Sequence, residues 1–241
     1  MQRDIFVWTV ELMDVDEPPA DWLAVLHEEE CARWSRFRLA NDRVSFAAAH
    51  TLKRLAIASL LQVPPASLYF DVDRFGKPKL LDGGSWRFNL SHTNGAVALA
   101  VAPGAELGVD IEQADRAVST EELATEICTQ PELAALRAMS GADRLEAFMA
   151  LWTAKEAIVK AEGLGLSLPL TRVRLLPEGD AAEVMAPLGE PVRRWALWCR
   201  RPTARHLAAL AMPPDSRPIV YRHLGSEELT GWARRHLLDA T

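Results

Sequence analysis

The residues of this chain best suited to chemistry are a pair of carboxylates on one short segment and a third on a long helix. Residues 107–112 read Leu-Gly-Val-Asp-Ile-Glu, after the turn Pro103-Gly104. As a strand, this segment sends Val109 and Ile111 to one face and Asp110 and Glu112 to the other. The two acidic Cβ atoms then lie about 6–7 Å apart. That spacing lets two oxygens converge on one hard cation, and magnesium is usually held by a few carboxylates with waters and phosphates completing the shell. A plain polar strand face is the bland alternative, but Asp and Glu are poor strand formers and two of them need a reason. The third carboxylate lies in Phe148–Leu170, which reads as an amphipathic helix ending in a Gly-rich turn. At roughly 100° per residue, Leu145, Phe148, Met149, Trp152 and Val159 share one apolar stripe. Glu156 falls near its middle, Lys155 at its edge, and Lys160 four positions beyond Glu156. A carboxylate on a buried stripe needs a cation or a metal. The competing reading is an exposed i,i+4 Glu–Lys pair.

Two turns supply groups that bind anions. In Asp73–Leu80, Gly76 permits positive φ and Pro78 fixes φ, so Lys77 is displayed from a rigid loop. Ser91-His92-Thr93-Asn94-Gly95 joins two apolar strands. It reads either as a simple hairpin or as a phosphate site in which Ser91 and His92 donate. No nucleophile elbow surrounds Ser91 and no acidic partner suggests a triad. Arg33, Arg36, Arg38, Arg43, Lys53 and Arg54 cluster on the first helices. Each taken singly is most simply a solvated basic residue near a helix end.

The elements that must hold these groups alternate between helix and strand. Strands are expected at Ile5–Leu12, Leu68–Val72, Trp86–Leu90, Gly95–Ala102 and Leu107–Glu112, and helices at Asp21–Arg38 and from Asn41 to Leu61. Two short helices, with capping-box spacings at Ser119/Glu122 and Thr129/Glu132, lead into the long helix at 143–163. Gly163 and Gly165 end it. Strands at Val173–Leu176, Trp195–Cys199, His206–Met212 and Ile219–His223 precede a last helix, Glu227–Leu238. This is an α+β pattern in two halves, 1–106 and 107–241, each with helices beside a mainly antiparallel sheet. The 241 residues carry a net charge of −6 and no long basic run, which disfavours nucleic acid and anionic membranes as partners. The first apolar run is too short for a signal peptide, and no stretch is expected to span a bilayer. Cys31, Cys128 and Cys199 form no metal-binding or disulfide pattern, which points to a reduced, cytoplasmic protein.

With FGKP, NLSH, GVDIE and WTAKEAIVKAEGLGL read in that order, residues 75–170 resemble the Sfp-type 4′-phosphopantetheinyl transferases. NDRVSFAAAHTLKR resembles the helix of that family's first half. The resemblance implies a monomer of two pseudo-symmetric halves with coenzyme A and Mg2+ between them. It implies that a serine hydroxyl of an acyl or peptidyl carrier protein attacks the β-phosphate and that 3′,5′-ADP leaves. By the same resemblance, Asp110, Glu112 and Glu156 hold the metal, and Glu156 also serves as general base. Lys77, Ser91, His92 and Lys160 meet coenzyme A phosphates, while Arg33 and Arg43 meet its 3′-phosphate end. The expected catalytic set is Glu156, Lys160, Lys155 and His92. Glu28-Glu29-Glu30 stands where the family often has a basic residue, which sets the 3′-phosphate contact apart from the pattern. Two other classes compete: a carrier-binding protein without activity, and another magnesium-dependent nucleotide enzyme such as a pyrophosphohydrolase.

Overall fold

The computed structural model describes residues 4–13, 15–116, 119–176, 178–185, 191–215 and 217–238. The elements run β1 (Ile5–Glu11), α1 (Ala20–Val25), α2 (Glu28–Trp34), α3 (Ala40–Leu61), β2 (Phe70–Val72), β3 (Pro78–Leu80), β4 (Trp86–Thr93) and β5 (Ala96–Pro103). They continue with β6 (Gly108–Gln113), α4 (Thr120–Ile127), α5 (Gln130–Arg137), α6 (Gly141–Glu162), β7 (Val173–Leu175), β8 (Ala181–Val184), β9 (Arg193–Thr203), β10 (His206–Met212), β11 (Ile219–Gly225) and α7 (Ser226–Leu238). One sheet has the order β11-β1-β5-β4, a second β6-β10-β9-β8-β7, and β2 and β3 form a separate hairpin.

Alternation in β5 shows why the layers stack as they do. Val97, Leu99 and Val101 face one way and pack with Phe6, Trp8, Leu52 and Leu55 under α1, α3 and α7. Ala96, Ala98, Ala100 and Ala102 face the other way, onto Val109, Ile111, Ala208 and Leu210 of the second sheet. Large residues thus fill the space beneath the helices, and small ones let the two sheets approach. On the far side of the second sheet, Ala154, Ala157, Ile158 and Ala161 of α6 pack against Val173, Ala182, Trp195 and Leu197. The architecture is helix, sheet, sheet, helix, an α+β arrangement.

The structure departs from the sequence reading at several points. The helix expected over 21–38 is two helices, broken where Leu26 and His27 are extended and His27 caps α2, its backbone N–H donating to Glu30 Oε2 at 3.0 Å. Strand β4 runs on through Ser91, His92 and Thr93, so these residues lie on a strand and not in a loop. Strand β8 is additional. Helix α3 is, by length and composition alone, apolar enough to cross a membrane, contrary to the reading that no stretch is; most of it is buried under the first sheet. The chain's end also crosses back: β11 pairs in parallel with β1, Ile5 opposite Ile219. The division after residue 106 therefore does not describe the last strand and helix, which belong spatially to the first half.

Candidate active site

The seam between the two sheets brings NLSH and GVDIE together. Strands β4 and β6 lie at the inner edges of their sheets. Asn89 Oδ1, buried, accepts the backbone N–H of Val109 at 2.8 Å, fixing the register of one motif on the other. Two residues along, Ser91 Oγ donates to Asp110 Oδ1 at 2.8 Å. Two further, Thr93 Oγ1 donates to Glu112 Oε2 at 3.3 Å. The period-two face predicted for Asp110 and Glu112 is observed.

Helix α6 adds Glu156 and Lys160 to this seam, and Gly108 is the reason it can come close enough. A Cβ on Gly108 would lie 2.0 Å from the Ala157 carbonyl oxygen and 2.4 Å from the Ala161 nitrogen. The helix backbone therefore rests directly on the strand, which only glycine permits. From there Lys160 Nζ donates to Asp110 Oδ1 at 2.6 Å and to Ser91 Oγ at 2.8 Å. Gly163 ends the helix at φ 68°, the expected left-handed cap.

Beside this cluster opens a cleft of about 510 Å³. Phe75, Gly76, Lys77 and Pro78 form one wall, Asn89 and Leu90 another, and Glu156, Val159, Lys160 and Gly163 a third. Three motifs far apart in sequence thus share one concavity, and Lys160 on its wall reaches Asp110 of the fourth. The FGKP turn is built by Asp73, whose Oδ1 accepts the N–H groups of Phe75 at 2.8 Å and Lys77 at 3.0 Å, with Gly76 at φ 82°.

The electrostatics are those of a carboxylate set short of positive charge. Burial, then the Asp110 charge, push the Glu112 carboxyl above the usual range; Arg116 and Lys160 pull the other way. Burial and then Asp110 likewise raise Glu156, against the pull of Lys160. Asp110 Oδ2 is buried and has no hydrogen-bond partner. These donors, hard oxygens with an orphaned atom and mutual repulsion, fit a divalent cation. Among the described residues, however, no group of three such side chains is already gathered into coordination geometry.

Other predicted residues fare differently. Lys77 lines the cleft with its stem, but its ammonium is not displayed: it donates to Glu106 Oε2 at 3.1 Å and to the Leu107 and Ala161 carbonyls at 3.2 and 3.4 Å. It ties the turn to the second half. His92 keeps open surface, yet burial and the nearby Lys160 charge lower its pKa. Arg33 is exposed, stacks over Phe46 at 5.6 Å, and also lowers His92, which places it on the same side of the seam. Arg43 is engaged by Glu17 and by the Arg38 carbonyl and does not line the cleft. Lys155, expected among the catalytic groups, is fully buried on another face of α6. Its ammonium donates to Glu132 Oε2 at 2.7 Å and to the Ile127 and Leu170 carbonyls at 2.8 and 3.1 Å. All three protons are used in joining α4, α5 and the segment after α6, so Lys155 has none for a substrate.

The acidic run Glu28-Glu29-Glu30 is resolved by geometry. Glu30 turns inward, accepting from Lys53 at 2.6 Å, from Arg54, and pairing with His50 at 2.7 Å. Its charge is spent on tying α2 to α3 and does not oppose Arg33 one turn on. Two contributors escaped the sequence reading: Gly108, and His206, whose buried ring donates from Nε2 to the Asn94 carbonyl at 2.9 Å and meets Thr203 Oγ1 at 2.8 Å. His206 clamps the Asn94-Gly95 turn from the second half. The small residue before the Val-Asp-Ile-Glu alternation was the available signal for Gly108; a lone histidine carries none.

The family description "4′-phosphopantetheinyl transferase superfamily" matches residues 106–211, and "4′-phosphopantetheinyl transferase, N-terminal" matches residues 18–104. The chain is 29% identical over 216 residues to the 4′-phosphopantetheinyl transferase HetI of Nostoc sp., covering 88% of this chain and 89% of that protein. It is 30% identical over 162 residues to a 4′-phosphopantetheinyl transferase of Bacillus subtilis, covering 66% of this chain and 71% of the relative. Together with three motifs lining one cleft and the fourth bonded to them, these matches identify the chain as a transferase that belongs to the 4′-phosphopantetheinyl transferase superfamily.

Proposed function

We propose that the chain transfers the phosphopantetheine arm of coenzyme A to a serine hydroxyl of an acyl or peptidyl carrier protein, with Mg2+ and with release of 3′,5′-ADP. The observation that carries this reading is the joining of Ser91, Asp110 and Lys160 beside a cleft that Lys160 lines and both halves wall. Phosphoryl transfer asks for positioning and charge neutralisation more than covalent help.

Asp110, Glu112 and Glu156 are the residues that would hold magnesium, whose bound charge neutralises phosphate oxygens and keeps its carboxylates ionised. Lys160 Nζ, at the cleft wall, donates to a phosphate oxygen, as does the Ser91 hydroxyl beside it. Glu156 accepts the proton of the carrier serine. Without metal its carboxyl is raised by burial and by Asp110; a bound cation would offset that rise and keep it ionised, as a proton acceptor must be. Arg33 and His92, on the same side of the seam, face the 3′-phosphate end. Lys77 keeps the FGKP wall in place, and its contribution to affinity is through that wall. We further propose a monomer, since one chain supplies both sides of the cleft, and a cytoplasmic location, in keeping with three cysteines that are all unpaired.

The test is the fate of coenzyme A. With Mg2+ and an apo-carrier, 3′,5′-ADP is expected in step with carrier modification, and a carrier whose acceptor serine is replaced by alanine should yield none. Release of 3′,5′-ADP without a carrier would favour pyrophosphate hydrolysis instead.

A further inference from the structure

We propose that Lys160 is a built-in competitor of the metal: it neutralises Asp110 until the pyrophosphate of coenzyme A draws it away, so that metal and coenzyme A bind cooperatively through this one side chain. The proposal rests on the reading of the cleft given above.

Four observations support it. Lys160 Nζ and Ser91 Oγ both donate to the same atom, Asp110 Oδ1, at 2.6 and 2.8 Å, and Lys160 also donates to Ser91 at 2.8 Å. Oδ1 is therefore saturated while Oδ2, equally buried, has no partner. The Asp110 side chain is 5% exposed and fixed on a strand, whereas that of Lys160 is 29% exposed and lines the cleft. One partner is held and the other can leave. Finally, among the described residues the cations that meet these carboxylates are Lys160, on Asp110, and Arg116, which reaches Glu112 at 3.5 Å from an exposed position.

The consequence is electrostatic. A divalent ion approaching Asp110 meets a positive charge already paired with it, and the repulsion lowers metal affinity in the absence of substrate. Lysine is a compact charge on a flexible stem with three rotatable donors, suited to exchanging one anionic partner for another. When pyrophosphate enters the cleft, the ammonium turns to it, Oδ1 is freed, and the metal gains a ligand while losing a repulsion. By linkage, the metal must strengthen coenzyme A binding by the factor through which coenzyme A strengthens metal binding.

The experiment uses Mn2+ as the probe, counted by the electron paramagnetic resonance of the free ion, on the whole protein with and without coenzyme A. Without coenzyme A, Lys160→Gln is expected to bind Mn2+ roughly tenfold tighter than the parent, since one nearby positive charge is gone. Lys160→Arg, which keeps the charge, is expected to bind as weakly as the parent. With coenzyme A present, the advantage of Lys160→Gln should vanish or reverse, because in the parent the lysine has moved. The rise in melting temperature on adding Mn2+ alone should follow the same order, and it also shows that each variant is folded. A parent that binds Mn2+ and a Lys160→Gln variant that binds it no tighter would overturn the proposal and leave the functional reading intact. If the parent bound no Mn2+ even with coenzyme A, the metal reading would fall and this proposal with it.

Discussion

Glu156 and Lys155 are neighbours in sequence, both charged, both on α6, and they do different things. Replacing Glu156 by Gln keeps its size and removes its charge and its proton-accepting lone pair. Transfer to a cognate carrier should fall by at least about a hundredfold, the usual contribution of a positioned base, as read by a stopped-time carrier-modification assay. Stability should move the other way. The folded Glu156 carboxyl is raised, so its contribution to stability is present at low pH and lost as pH rises through its folded value. At neutral pH, Glu156→Gln should therefore melt higher than the metal-free parent, and the difference should close as pH falls toward 4. Lys155→Met makes the contrary forecast. It strands Glu132 in a buried pair, for roughly 3–5 kcal/mol of lost stability in urea unfolding. Coenzyme A affinity of the folded fraction should change little. A Lys155→Met protein of full stability but without transfer would return Lys155 to the chemistry. At this scale the sequence was informative where the residues belong to recognisable motifs. Asp110, Glu112, Ser91 and Lys160 meet as their motifs implied. Lys155 was misplaced because a single-stripe wheel assumes one buried face. Helix α6 has two, one on the second sheet and one on α4 and α5. Arg43 stands outside the cleft, paired with Glu17 26 residues away, a pairing no local pattern encodes.

Among the elements, α6 and β6 form the joint on which the site depends. Gly108→Ala would push a methyl group into helix backbone, and neither side can yield without moving Glu156 and Lys160 from Asp110. We expect transfer to fall by more than tenfold, since small misplacement of reacting groups is costly, together with a lower melting temperature. Unchanged kinetics would mean that the helix is free to shift. The α2–α3 contact sets a pH limit. Burial holds His50 at about 4 against an ordinary 6.5, although Glu30 opposes the shift. Between those values the unfolded chain binds more protons than the folded one, so stability falls as pH drops through that window. His50→Gln should flatten the fall in melting temperature between pH 6.5 and 4; an unaltered slope would place the acid sensitivity elsewhere. The long helices and β1, β5, β6 and β10 were legible because their alternation or length is strong. The break between α1 and α2 was not, because it is made by a cap on His27 that only the fold reveals. Strand β8 is four residues long, leaving little local pattern.

Across the whole molecule, chain order and spatial order part company at the end. Strand β11 and helix α7 return to the first sheet and its helices, so the first half is completed by the last residues. A pattern reading places a strand at 219–223 but cannot tell which sheet receives it, since pairing partners are set by topology and not by local periodicity. The cleft is lined by residues from both sides of position 106, and the motifs that carry them could be read separately. The central claim is that this cleft transfers phosphopantetheine to a carrier protein. The most direct measurement is the intact mass of an apo-carrier after incubation with the protein, coenzyme A and Mg2+, run in parallel with Glu156→Gln. The account predicts a gain of one phosphopantetheine group on the acceptor serine with the parent, and a rate at least about a hundredfold lower with the variant. Carriers of unchanged mass across fatty acid, polyketide and nonribosomal peptide types, with coenzyme A left intact, would contradict it.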